Sequence, residues 1–132
     1  MSKVAIESAG WIRGENDVET VAVEMVYETS DPYAVRLHVS THEGEHCWTF
    51  GRDLFADGLR SMVPVGEGAV QVQATSVLTE VSYVDLDDHV TTLRLPWWNT
   101  REFIRLTQEA VPRGDEHCDV DSWVLALTDL ES

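Results

Sequence analysis

Five side chains with metal-binding or nucleophilic chemistry fall in two short stretches: His42, His46 and Cys47 in one, His117 and Cys118 in the other. Thiolates and imidazoles bind zinc, and His42-x-x-x-His46 has a ligand-like spacing. That spacing aligns two imidazoles on a helix, whereas Gly44 places this pair across a turn, and no Cys-x-x-Cys accompanies it. Surface histidines and small, semi-buried thiols are the plainer account. A cysteine–histidine nucleophile is formally available, because an imidazole can lower a thiol pKa. Adjacency in sequence argues poorly for it, since neighbours on a strand point to opposite faces. Asp87–Asp88 and Asp119-x-Asp121 offer paired carboxylates to a hard cation, but Asp119-x-Asp121 lacks the further ligands of a calcium loop. A turn and a helix cap explain these acids. The sequence contains no Gly-rich phosphate loop, nucleophile elbow or dinucleotide fingerprint, and Gly66-x-Gly68 is too short a fragment to count. No cofactor, metal or catalytic residue is therefore assigned.

Tryptophan is the more informative residue type. Of Trp11, Trp48, Trp97, Trp98 and Trp123, Trp48 and Trp123 fit buried faces. Trp97 and Trp98 open a helical segment, where successive side chains project roughly 100° apart. Both can be buried only if another surface covers them. One of the pair is thus a candidate interface anchor, because tryptophan is enriched at binding hot spots. Packing of both on the chain's own sheet is the alternative.

The elements that position these residues follow from periodicity. Val21, Val23, Met25 and Tyr27 alternate with Thr20, Glu24 and Glu28, the pattern of a half-buried strand. Ser30–Asp31–Pro32 supplies turn chemistry, and Tyr33, Val35, Leu37 and Val39 resume the alternation. Glu43–Gly44–Glu45 predicts a hairpin leading to a short strand with His46, Trp48 and Phe50 on one face. Residues 52–57 predict a helix of one to two turns, with Gly58 just past its end. After the loop at Pro64–Gly68, alternating Val70, Val72 and Ala74 and the runs 77–84 and 90–95 predict a second meander. Beyond Pro96, Thr100, Phe103, Ile104, Thr107 and Val111 share a helical face, ended by Pro112 and Gly114. Asp119 or Asp121 can cap a last helix with Val120, Trp123, Val124 and Leu127 as its apolar stripe. The expected fold class is α+β: two antiparallel β-sheets, or meanders, separated by a short helix and followed by C-terminal helices.

A single domain spanning residues 1–132 suits this length. The chain carries 9 Lys+Arg against 24 Asp+Glu, a formal charge of −15, spread over both halves. One lysine and eight arginines neutralise phosphates poorly, which disfavours nucleic acid and anionic membranes. No apolar run approaches the roughly 20 residues of a membrane span. No hydrophobic leader follows Met1, so a cytoplasmic protein with reduced thiols is expected.

Four segments together resemble the SsgA-like proteins of sporulating actinomycetes. They are Asp31–Pro32–Tyr33–Ala34–Val35; Trp48-x-Phe50-x-Arg52–Asp53–Leu54–Phe55-x-x-Gly58–Leu59; Gly66–Glu67–Gly68-x-Val70-x-Val72; and Pro112-x-Gly114-x-Glu116–His117 followed by Asp119-x-Asp121. They occur in the family's order and cover most of residues 21–132. The resemblance implies a whirly-like fold, similar to trimers that bind single-stranded nucleic acid. It also implies a non-enzymatic regulator of sporulation-specific septation, acting at the septum through protein contacts. The implied partners are the FtsZ ring, the septal peptidoglycan apparatus or a paralogous SsgA-like protein, and a homotrimer is the implied assembly. The family supplies no catalytic residues. Physically, its strand-to-helix motif reads as structure: Trp48 and Phe50 bury beside Leu54, and Arg52 and Asp53 pair or cap around the turn. Trp97–Trp98 stand where the family is expected to carry smaller residues. The alternative functions are a single-stranded nucleic-acid module, which the charge opposes, and a small metal-dependent domain using the His/Cys group.

Overall fold

A computed structural model describes residues 3–14 and 17–116. Eight strands precede and flank two helices: β1 (Lys3–Arg13), β2 (Val18–Glu28), β3 (Ala34–Thr41), β4 (Gly44–Gly51), α1 (Arg52–Gly58), β5 (Val65–Glu67), β6 (Val70–Ala74), β7 (Leu78–Val84), β8 (Val90–Pro96) and α2 (Trp97–Ala110). The expected meanders are present, β1–β4 before α1 and β5–β8 after it. They do not form two sheets. All eight strands join in one antiparallel sheet of order β4-β3-β2-β1-β8-β7-β6-β5.

The strand that fuses them is β1, which the periodicity reading missed. It pairs with β2 from Lys3↔Glu28 to Arg13↔Val18 and with β8 through Trp11↔Arg94, Ile12↔Leu93 and Arg13↔Thr92. Its inward positions are Val4, Ile6, Ser8, Gly10 and Ile12. Two small residues in that row hide the alternation. Both are there for closeness: a Cβ on Gly10 would meet Leu95 Cδ2 at 3.0 Å and the Arg94 carbonyl at 3.1 Å. Further along, where β1 has no partner in β8, Asn99 in the first turn of α2 donates to Ser8 Oγ at 2.9 Å.

The sheet curls toward a half-barrel. Although β4 and β7 are well separated in the strand order, the Trp48 and Tyr83 rings lie 6.3 Å apart. The inward rows of β2 and β3 form the core, with Met25, Tyr27, Val35, Leu37 and Val39 inaccessible to solvent, but Tyr33, expected to open the second row, precedes β3 and is exposed. Both helices pack on this face. Phe55 of α1 makes an edge-to-face contact with Phe50 at 5.3 Å and reaches Phe103 of α2 at 6.2 Å. The predicted face of α2 is the buried one, through Thr100, Phe103, Ile104 and Thr107.

Gly58 is the last residue of α1 rather than the residue beyond it. Proximity is what this position demands, since an added Cβ would fall 2.3 Å from Val72 Cγ1. Gly44, at φ +128°, does supply the left-handed turn between β3 and β4. Gly114, at φ +95°, follows the end of α2 as expected. The predicted last helix with Trp123 lies outside the described residues.

Candidate functional site

Among the described residues, His42, His46 and Cys47 form no metal-ligand cluster. His42 sits in the β3–β4 turn, where its backbone N–H and Nδ1 meet the Glu19 carboxylate at 2.6 and 2.7 Å. Hydrogen bonding to that carboxylate holds His42 above the ordinary imidazole pKa, and the backbone N–H of His42 helps hold Glu19 below the usual carboxylate value. His46 and Cys47 are neighbours on β4 and face opposite sides of the sheet. The exposed Cys47 thiol contacts Thr49 Oγ1 at 3.8 Å. His117 and Cys118 lie outside the described residues. Asp85, Asp87 and His89 do converge in the β7–β8 turn. There the Asp85 carboxylate accepts the Asp87 and His89 backbone N–H groups at 2.8 and 3.0 Å, which is the chemistry of a turn.

The motif residues build a different feature. Arg52, the first residue of α1, is 1% exposed. Its Nη1 donates to the Thr107 and Val111 carbonyls at 3.0 and 2.6 Å, closing the C-terminal end of α2. Its Nη2 donates to Glu116 Oε1 at 2.5 Å, and the guanidinium lies 5.1 Å from the Tyr27 ring centroid. Helix C-termini carry unpaired carbonyls and partial negative charge, so a buried cation is well placed there. Pairing with Arg52 keeps the Glu116 carboxyl below its usual pKa, while burial raises that of Tyr27.

Three motifs that are far apart in sequence meet at this point. Tyr27 Oη donates to the Pro32 carbonyl at 3.1 Å, and Asp31 pairs with Arg36 at 3.3 Å. Tyr33 Oη donates to the Glu116 carbonyl at 3.0 Å. The expectation for Arg52 and Asp53 is corrected here. They do not pair with each other: Asp53 faces Arg113 at 3.4 Å, and Arg113 also binds Asp57 at 2.7 Å. Arg52 turns inward because it continues the alternation of Trp48 and Phe50, a signal the sequence did carry. Phe50 is buried, while Trp48 and Leu54 are half-buried against the core.

At the opposite end of α2, Trp97 and Trp98 separate in role. Trp97 is half-buried, and its Nε1 donates to the Leu59 carbonyl at 3.0 Å while its backbone N–H donates to the Val77 carbonyl at 2.9 Å. Trp98 is 69% exposed. The two rings meet edge-to-face at 5.3 Å, and the Arg101 guanidinium lies 5.4 Å from each centroid. Trp97 ties the segments after α1 and before β7 to the start of α2, and both segments carry exposed apolar side chains. Met62 is 81%, Val63 67% and Val77 65% exposed.

The arrangement defines a helix-backed, curled antiparallel sheet with one end of α2 locked by a buried arginine and an exposed tryptophan at the other. Comparison with known proteins identifies it further. The profile of the family described as "Streptomyces sporulation and cell division protein, SsgA" matches residues 21–116, and the chain belongs to that family. It is 35% identical over 106 residues to the sporulation-specific cell division protein SsgB of Frankia casuarinae, covering 76% of this chain and 72% of that one. With SsgB of Streptomyces coelicolor it shares 37% identity over 101 residues, covering 72% and 71%. A solved SsgB structure from a study of longitudinal cell division during sporulation of Streptomyces coelicolor superposes with a TM-score of 0.76 at 28% identity, covering 88% of this chain and 94% of that one. An SsgA-like sporulation-specific cell division protein from Thermobifida fusca shares the fold at TM-score 0.81 and 20% identity, with 95% of each chain covered.

Proposed function

We propose that this chain is a non-enzymatic regulator of sporulation-specific septation that works through protein–protein contacts made at the Trp98 end of α2. The names of its relatives support the process, and the exposed Trp98, with exposed Met62, Val63 and Val77 on the segments that Trp97 ties to α2, is the observation that carries the mechanism. A largely solvent-exposed indole is not a core residue, and tryptophan is among the strongest interface anchors when a partner covers it. The proposed partners are the FtsZ ring, the septal peptidoglycan apparatus or a paralogous SsgA-like protein, met by a cytoplasmic protein recruited to the septum. Among the described residues, no helix is long and apolar enough to cross a membrane. A homotrimer is the proposed assembly, in which apolar contacts between subunits outweigh the repulsion of three chains of formal charge −15. Light scattering tests the subunit count.

Gene deletion in the sporulating host tests the function itself. Loss or misplacement of sporulation septa, with vegetative growth retained, is expected. Unchanged septation would refute the reading.

A further inference from the structure

The charge around Trp98 points to the chemistry of what binds there. Among the described residues, Arg36, Arg52, Arg94, Arg105 and Arg113 are paired with carboxylates. Of the remaining bases, Arg60 and Arg101 belong to this end of the molecule. Arg60 is exposed and follows Leu59, whose carbonyl receives the Trp97 indole. Arg101 lies over both tryptophans. Among the described residues, Lys3, Arg13, Arg60 and Arg101 form no ion pair, and of these Arg101 lies directly against the exposed Trp98 while Arg60 follows the Leu59 carbonyl that holds Trp97.

Resting on the functional reading above, we infer that this surface receives an acidic, amphipathic segment of the partner protein. Apolar side chains of that segment cover Trp98, Met62, Val63 and Val77, and its carboxylates pair with Arg60 and Arg101. Two features support this occupant. A guanidinium held over aromatic rings still presents N–H donors to a carboxylate, and it loses little further freedom on binding. A basic or neutral segment would leave these cations unpaired or repelled, so charge discriminates as well as attracts.

The probe is a synthetic helical peptide with leucines at positions i, i+3, i+4 and i+7 and glutamates elsewhere, beside a counterpart with lysines in place of glutamates. Calorimetric titration into the full chain should detect the acidic peptide and not the lysine peptide. Affinity should fall at least about tenfold, or 1.4 kcal/mol, in Trp98→Ala and in the double variant Arg60→Glu with Arg101→Glu, with each variant's Tm confirming that it is folded. Equal binding of both peptides, no binding of the acidic one, or full affinity in Trp98→Ala would overturn the inference. So would a change of mass in Trp98→Ala by light scattering, which would assign the surface to contacts between copies of this chain. Septation separates the two levels: if folded Trp98→Ala abolishes septation while the acidic peptide fails to bind, the partner chemistry is wrong and the functional reading stands.

Discussion

Helix α2 begins and ends in opposite environments. At its C-terminal end the helix carbonyls are closed by Arg52, which is buried with Glu116 and stacked near Tyr27. At its N-terminal end Pro96 occupies the cap without a side-chain hydrogen bond, and Trp98 stands in solvent with Arg101 over it. One end uses charge for internal order, and the other leaves an indole and a guanidinium exposed against each other. The contrast separates what the family motif does from what a partner can use. Motif residues Tyr33, Arg52 and Asp53 make contacts within the fold, whereas Trp98, outside the four motif segments, is the residue proposed to meet a partner.

Substitutions at the two ends should therefore differ in kind. The largest effect is expected from Arg52→Met, which removes the buried guanidinium bound to the Glu116 carboxylate and to the Thr107 and Val111 carbonyls. Breaking a buried ion pair costs about 3–5 kcal/mol, read as a lower urea midpoint at unchanged slope. If Arg52→Met were as stable as the parent, the C-terminal end would not be the anchor described here. Next is Gly58→Ala in α1, the helix that links the two ends. Its new methyl would collide with Val72, and overpacking costs about 1–3 kcal/mol.

Acid should weaken the C-terminal end and spare the other. Glu116 has a folded pKa below its unfolded value of roughly 4.3. Its contribution is thus present above that value and is lost as pH falls through the folded pKa. Glu116→Gln should flatten that part of the acid limb of a stability–pH profile, and an unchanged limb would break the assignment. The smallest stability effect is expected for Trp98→Ala, within about 1 kcal/mol, because its contacts with the Trp97 ring and Arg101 lie at the solvent-exposed surface. A large loss would show that Trp98 is structural after all.

The sequence made the alternating strands, the short helix, the buried face of α2 and the unusual Trp97–Trp98 pair legible, because each is a local pattern. It hid two features for physical reasons. In β1 the inward row runs through Ser8 and Gly10, small residues chosen by close packing, so an alternation detector sees no strand and two meanders look like two sheets. The Arg52–Glu116 contact joins residues brought together only by the fold. Its one local trace is Arg52 falling in step with Trp48 and Phe50, in a residue type that is seldom fully buried. The split between Trp97 and Trp98 was foreseen as a possibility, but which ring faces water depends on the Leu59 and Val77 carbonyls that hold Trp97.

The division of labour along α2 is tested most directly by counting sporulation septa in a deletion strain complemented with Trp98→Ala protein of confirmed parental Tm. A folded, expressed variant that fails to restore septa is the predicted result; septa restored to the parental number would contradict it.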